Sequence, residues 1–297
     1  MRFPSRSSLM VLILLLVVTP VLGAACSRTE AGMPIVLFTD FGSEDYRVSQ
    51  VKGIIYSHNT EARVIDGSHD VPAFDIAGGA FMLDIAAREF PPNTVFVAII
   101  APYAQEETRY LVLTTNKDQI FVLPDNGLLT YVVDSMGIKS VYQVNNQDLF
   151  PSPIEQMAAE RIQSRIGVLI AAGYRAEDVG TPLDEPRMLD TQAPAIAGDS
   201  LLGTVVHLDQ FGNCMTNIAG DLAGEFGIEP GETISVQVAG ADISLMFGRI
   251  YSDVSVEEDI VFVNNNVDLL QLSVNLGNFA GTHGVEVGAR VEISRLP

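Results

Sequence analysis

Clusters of polar side chains directly follow apolar, strand-like segments at three places in this sequence. The clusters are Asp40-Phe41-Gly42, Pro124-Asp125-Asn126-Gly127 and Asp209-Gln210-Phe211-Gly212-Asn213. Carboxylates and amides are directional hydrogen-bonding groups, and at strand ends they can hold the hydroxyl and amino groups of a small ligand. One interpretation of each cluster is therefore a group that contacts a ligand at the end of a strand.

Each cluster also has a purely structural interpretation. Asp40 could cap the helix that follows it or form an Asx turn. Gly127 could simply permit a positive φ, and ordinary turn chemistry could account for half of the cluster around Asp209. Position in the sequence leaves both interpretations open.

Other catalytic classes lack their signatures. Asp40-Phe41-Gly42 is also a kinase motif, but no glycine-rich loop and no His-Arg-Asp loop accompany it. The four histidines lie near no nucleophile elbow, so serine-hydrolase chemistry is not indicated. The only candidate metal cluster is more typical of a solvated turn, and no metal is predicted. That cluster comprises Asp66, His69, Asp70 and Asp75.

Composition excludes further classes. The chain has 297 residues, with 17 Lys+Arg against 37 Asp+Glu and a formal net charge of −20. An acidic chain without a basic cluster repels phosphate backbones, so nucleic acid is not an expected partner. Two cysteines, Cys26 and Cys214, form neither a disulfide framework nor a zinc motif.

The N-terminus reads as an export signal. Two arginines precede an apolar run too short to span a bilayer, and small residues lead into Cys26. We therefore predict a signal peptide over residues 1–25, a lipid on Cys26 and a tether over 26–32. Because Ser27 rather than aspartate follows the cysteine, the expected location is the outer membrane, facing the periplasm. Simple secretion and a retained, uncleaved anchor are the alternatives.

The elements that position the clusters alternate between strand and helix in the first half of the chain. Strands are predicted at 33–39, 62–66, 94–100, 110–115 and 119–123, and helices at 46–58, 76–90, 128–136 and 154–172. This alternation predicts an α/β domain with a largely parallel sheet over residues 33–185.

The second half of the chain has short strand-like segments and lacks the strand–helix alternation of the first half. After a linker over 186–199, short strands separated by glycine and asparagine turns predict an all-β domain, a β-barrel, over 200–297. These strands are predicted at 202–208, 233–238, 243–247, 260–263, 269–274 and 287–293.

An ordered set of five motifs resembles the S-adenosylmethionine (SAM) hydroxide adenosyltransferases, whose close relatives are the fluorinases and chlorinases. The motifs are Thr39-Asp40-Phe41-Gly42, Lys52-Gly53, Val64-Ile65-Asp66 followed by His69, Pro124-Asp125-Asn126-Gly127-Leu128-Leu129, and Asp209-x-Phe211-Gly212-Asn213 followed by Thr216-Asn217-Ile218. The resemblance implies an α/β domain, a C-terminal barrel and a homotrimer whose ligand lies between subunits.

The resemblance also implies a reaction: water attacks the ribose C5′ of SAM and releases methionine and adenosine, without a metal or redox cofactor. It implies that Asp40 accepts the ribose hydroxyls, that Phe74 lines the adenosyl group, and that Asp209 and Asn213 hold the methionine portion. Asn126 and Phe211 belong to the same motifs and are further ligand-binding candidates.

The chain departs from the family at the groups thought to orient water. Where hydrolases carry Asp-Pro-Gly-Val-Gly and an arginine, it has Ala101-Pro102-Tyr103-Ala104-Gln105 with Thr108 and Arg109, and Ala158-Ala159-Glu160-Arg161 stands at the later His-Gly-Arg-Asp. The remaining catalytic candidates are Thr108, Arg109, Glu160 and Arg161. Two functions stay open: a SAM hydrolase with altered water activation, and a catalytically silent lipoprotein that binds an adenosyl ligand.

Overall fold

The computed structural model describes residues 32–103 and 108–296. The predicted signal peptide, Cys26 and nearly all of the tether lie outside these ranges. Within them, no helix combines the length and apolar character needed to cross a membrane.

The N-terminal domain is built on a seven-stranded sheet. Its strands are β1 (Ile35–Thr39), β2 (Val64–Ser68), β3 (Val95–Ile99), β4 (Tyr110–Thr115), β5 (Ile120–Pro124), β6 (Ile138–Val144) and β7 (Gly180–Pro182). The order is β2-β1-β3-β5-β4-β6-β7. The first four strands in this order are mutually parallel, and the others join antiparallel. The predicted α/β class is confirmed.

Helices cover both faces of this sheet. They are α1 (Tyr46–His58), α2 (Ile76–Glu89), α3 (Thr130–Met136), α4 (Ala159–Ala171) and α5 (Ala176–Val179). One apolar core joins α1 and α4 to one face, and a second joins α2 and α3 to the other. The buried strands are continuous apolar runs because both faces are covered.

The strand order reverses at β1, and the loops that follow β1, β2 and β3 meet at Asp40, Phe74 and Ala101 around a region that we call the crevice. From β1 the chain passes through α1 to β2 on one side, and it returns through α2 to β3 on the other side of β1. The two connecting helices lie on opposite faces, so the loops that leave the carboxyl ends of β1 and β2 diverge toward opposite faces of the sheet. In open α/β sheets, ligands bind at such a point of reversal.

The C-terminal domain is a closed barrel of seven strands with one additional edge strand. The strands are β8 (Ala195–Ala197), β9 (Ser200–Leu208), β10 (Cys214–Ala219), β11 (Thr233–Val238), β12 (Ala241–Phe247), β13 (Asp259–Asn264), β14 (Leu269–Val274) and β15 (Arg290–Arg295). Closure occurs between β9 and β10, while β8 pairs only with β9. The predicted barrel is confirmed, and two short helices accompany it, α6 (Gly220–Phe226) and α7 (Phe279–His283).

The segment between the domains is bound to both. The backbone N–H of Arg187 donates to Asp125 Oδ1 at 2.7 Å, and that of Leu189 donates to Thr130 Oγ1 at 2.8 Å. Further along, the Asn217 amide in β10 donates to the Gln192 carbonyl at 2.8 Å. These contacts fix the path of the chain from the sheet to the barrel.

Candidate functional site

Asp40 lies at the carboxyl end of β1, in the crevice. Its Oδ2 accepts the backbone N–H of Phe74 at 3.2 Å and that of Ala101 at 3.0 Å. Its Oδ1 makes no hydrogen bond to any residue of the described ranges. The helix cap is a different residue, because Asp45 accepts the Arg47 N–H at the start of α1. Asp40 therefore joins three loops through one carboxylate oxygen and leaves the other without a hydrogen bond to the described residues.

Both residues that donate to Asp40 have left-handed backbones. The φ angle is +65° at Phe74 and +41° at Ala101. Such values are uncommon for residues other than glycine, and they cluster at functional sites. The Phe74 side chain is 81% exposed in the single chain. The hydrogen bonds to Asp40 stabilise a conformation that presents an aromatic ring beside the crevice.

The Asp125-Asn126 turn after β5 holds the end of β3, next to the crevice. Asn126 is buried, and its amide donates to the carbonyls of Ile100 at 3.0 Å and Ala101 at 3.1 Å. The Asp125 carboxylate is also buried and pairs with Arg109. In the single chain, the Asn126 side chain thus positions the end of β3 rather than facing solvent.

The Asp209 cluster forms a tight turn between β9 and β10. Asp209 Oδ1 accepts the N–H groups of Phe211 and Asn213, both at 2.9 Å, and Oδ2 accepts the Asn213 amide at 2.7 Å. Gly212 has φ +78°, and a Cβ there would overlap the Asn278 side chain. The Asp209 carboxylate and the Asn213 amide are therefore engaged in hydrogen bonds within the turn, as the structural interpretation of this cluster expected. The Phe211 side chain remains 64% exposed.

A cleft of about 450 Å³ opens beside this turn, between it and α7. Its lining includes Asp209, Gln210, Asn278, Gly281 and Glu286. Next to the turn, the His207 ring stacks on Phe81 of α2 at a centroid distance of 5.2 Å. Burial lowers the pKa of His207, so a neutral ring is favoured at this contact between the domains.

The four catalytic candidates do not form an acid–base pair. Thr108 Oγ1 donates to the Pro102 carbonyl at 3.0 Å, and Arg109 is committed to Asp125. Glu160 lies in the first turn of α4, and Arg161 follows it at an exposed position.

The start of α4 nevertheless meets the loop after β3. The Ala159 N–H donates to the Tyr103 hydroxyl at 2.9 Å. Burial raises the pKa of nearby Tyr110, with smaller contributions from Tyr103 and Glu160, so this phenol stays protonated at neutral pH. Side chains at Ala101 and Ala159 offer no group that could orient water.

His69 belongs to a hydrogen-bonded network at the carboxyl ends of β1 and β2. From the sequence, His69 and its acidic neighbours were only a weak candidate for a metal site. His69 is buried and contacts Asp66 and Thr39. In the described ranges, no group of three or more His, Cys, Asp or Glu residues could hold a metal ion. The network is therefore a set of internal hydrogen bonds.

A doubly covered sheet with a polar crevice, joined to a barrel with a second polar loop, defines a two-domain protein that binds a small molecule. Residues 35–180 match the SAM hydroxide adenosyltransferase N-terminal domain, and residues 203–292 match the C-terminal domain of the same family. The chain belongs to the SAM hydroxide adenosyltransferase family, which confirms the resemblance found in its motifs.

Relatives match over nearly their whole length. An (R)-S-adenosyl-L-methionine hydrolase from Methanocaldococcus jannaschii is 30% identical, over 87% of this chain and 95% of the relative. A fluorinase from Actinoplanes sp. is 25% identical, over 89% of this chain and 98% of the relative. The crystal structure of an uncharacterized conserved protein from Thermotoga maritima is 28% identical, with a TM-score of 0.82, over 88% of this chain and all of that one.

Proposed function

We propose that this protein is a SAM hydrolase that converts SAM and water to adenosine and methionine with an atypical activation of water. The observation that supports it most directly is the Asp40 carboxylate: one oxygen accepts two backbone N–H groups, and the other has no hydrogen-bond partner among the described residues. A carboxylate with a free oxygen is suited to accept ribose hydroxyls. The hydrolase relatives support the same chemistry.

The proposed reaction is a positioned displacement. A water oxygen attacks C5′, the C5′–sulfur bond breaks, its electron pair returns to sulfur as methionine forms, and the water proton passes to solvent. Because the sulfonium loses its positive charge, alignment and desolvation supply much of the catalysis. Asp40 and Phe74 would hold the adenosyl group, and Asp209 with Asn213 would hold the methionine portion.

A second candidate function is silent binding of an adenosyl ligand. It is favoured by the alanines Ala101, Ala158 and Ala159, which offer no polar side chain where the loop after β3 meets α4. Loss of groups that orient water costs about 10²–10⁴ in rate. On this alternative the crevice is retained for recognition alone.

Incubation of the purified protein with SAM separates the two functions. The hydrolase should release adenosine and methionine in equal amounts over many turnovers, whereas a silent module should bind in calorimetry and release neither. An absence of both binding and release would refute both candidates. Thermal denaturation of the same sample verifies that the protein is folded.

We propose a homotrimer whose ligand lies between the N-terminal domain of one subunit and the barrel of the next. Support comes from the exposed rings of Phe74 and Phe211, which belong to different domains and would lose contact with water in such an arrangement. The mass in solution, measured by light scattering at high concentration, tests this. A monomer would contradict the shared site.

We also propose export, with a lipid on Cys26 and an anchor in the outer membrane facing the periplasm. The support is the apolar N-terminal run and the small residues before the cysteine. Cys26→Ser should release the protein into the soluble fraction. Unchanged fractionation of this variant would contradict lipidation and favour an uncleaved anchor.

A further inference from the structure

Four side chains form a continuous hydrogen-bonded row from the surface to the end of β1. Lys52 Nζ donates to Asp66 Oδ2 at 2.8 Å, and Asp66 Oδ1 lies 3.1 Å from His69 Nε2. His69 Nδ1 then lies 3.0 Å from Thr39 Oγ1. Thr39 has no exposed surface, and it is the residue immediately before Asp40. The row therefore ends directly behind the crevice carboxylate.

Hydrogen-bond chemistry assigns a direction to this row. Burial opposes ionisation of Asp66, but the bonds from Lys52 and His69 outweigh it and lower the pKa of this carboxyl. An ionised carboxylate only accepts, so His69 donates to it through Nε2–H. In the tautomer that carries its proton on Nε2, Nδ1 accepts, and the Thr39 hydroxyl is the donor.

A second set of bonds ties the other side of Asp40 to the same segment. The Gly42 N–H donates to the His69 carbonyl at 2.8 Å, and the Ser43 N–H donates to Asp70 Oδ1 at 2.9 Å. Consequently the loop is attached to residues 69–70 both before and after Asp40. Its carboxylate has little freedom to move relative to this segment.

We infer that His69 is a positioning residue. Through its hydrogen bond with the Thr39 hydroxyl, it holds the Asp40 carboxylate in the position from which it can bind a ligand. This inference rests on the proposed binding of ribose by Asp40. The hydroxyl itself is enclosed, which excludes it as a nucleophile despite its hydroxyl–imidazole–carboxylate arrangement. The row therefore affects how tightly Asp40 binds the ribose, and none of its side chains reacts with the ligand.

The test compares adenosine with 2′,3′-dideoxyadenosine, which lacks the hydroxyls that Asp40 would accept. The dissociation constant of the dideoxy compound divided by that of adenosine reports on Asp40. A general loss of stability weakens the binding of both ligands alike and leaves this ratio unchanged. Thr39→Val removes the hydroxyl at nearly constant shape and should reduce this ratio about fivefold or more. Thr39→Ser retains a hydroxyl and should keep the ratio of the parent protein.

A matched control is Thr94→Val. Thr94 is equally buried, but its hydroxyl donates to the Pro91 carbonyl. It lies just before β3, at the amino-terminal ends of the parallel strands and away from Asp40. This variant should lose comparable stability and retain the ratio. A ratio that falls equally in both valine variants, or in neither, would overturn the positioning role.

The histidine itself provides a second comparison. An asparagine places its amide near the Nδ1 position and a glutamine near the Nε2 position, so His69→Asn should preserve the ratio better than His69→Gln. Equal ratios in the two variants would count against transmission through Thr39. If the parent protein binds adenosine no better than the dideoxy compound, ribose binding by Asp40 fails first, and the positioning role falls with it.

Discussion

Asp40→Ala should weaken binding of adenosine or SAM by about tenfold or more. A carboxylate that accepts ribose hydroxyls contributes about 1.5–3 kcal/mol for each charge-assisted bond, and about 1.4 kcal/mol corresponds to tenfold in affinity. The substitution also removes the acceptor of the Phe74 and Ala101 N–H groups, so the two left-handed residues lose a stabilising contact. Calorimetric titration, with a thermal melt of each variant, measures both effects.

Asp40→Asn separates recognition from support of the backbone. The asparagine oxygen can still accept the two N–H groups, while the negative charge is absent. We expect the melting temperature of this variant to stay close to that of the parent and its affinity to fall. If both variants melt at lower temperature but bind normally, Asp40 serves only as an acceptor for the loops.

The elements with strong local signals were predicted well. Helix α1 occupies the predicted residues 46–58 because its apolar spacing agrees with a capping aspartate, Asp45. The helix predicted at 154–172 instead opens with a short 3₁₀ turn, and α4 starts only at Ala159. Pro153 at that turn favours a tight start, and hydrophobic spacing alone does not show it.

Strands whose burial depends on distant partners were missed. β10 contains Thr216 and Asn217, a composition typical of a turn. Thr216 is nevertheless buried, and the bond from its hydroxyl to the Leu270 carbonyl in β14, at 2.8 Å, compensates the loss of water. β8 lies inside the predicted linker and exists only through its pairing with β9. Such pairing partners leave no local pattern.

The candidate site shows the same limit. The sequence placed Asp40 correctly at a strand end, but its two donors lie 34 and 61 residues further along the chain. No spacing rule connects positions so far apart. The amide of Asn126, predicted as a ligand contact, is bonded to the end of β3 in the single chain. Whether it also contacts ligand stays a prediction.

Asp125→Ala should lower the free energy of unfolding by about 3 kcal/mol or more. The Asp125 side chain is 1% exposed, pairs with Arg109 and accepts the Arg187 N–H at 2.7 Å. Removal of one partner from a buried ion pair typically costs about 3–5 kcal/mol because the other charge is left uncompensated. Arg109 is 31% exposed, so water partly compensates its charge, and we expect the lower end of this range.

Denaturant unfolding of Asp125→Ala beside Lys139→Ala measures this difference. Asp118 pairs with Lys139, and both side chains are more than half exposed, so that pair should contribute less than about 1 kcal/mol. Asp125→Ala also removes the acceptor of the Arg187 N–H, so the segment that leads to the barrel should become more sensitive to protease. Equal stability losses in the two variants would mean that water screens the Arg109–Asp125 pair as fully as the exposed one, and the turn after β5 would then owe its position to Asn126.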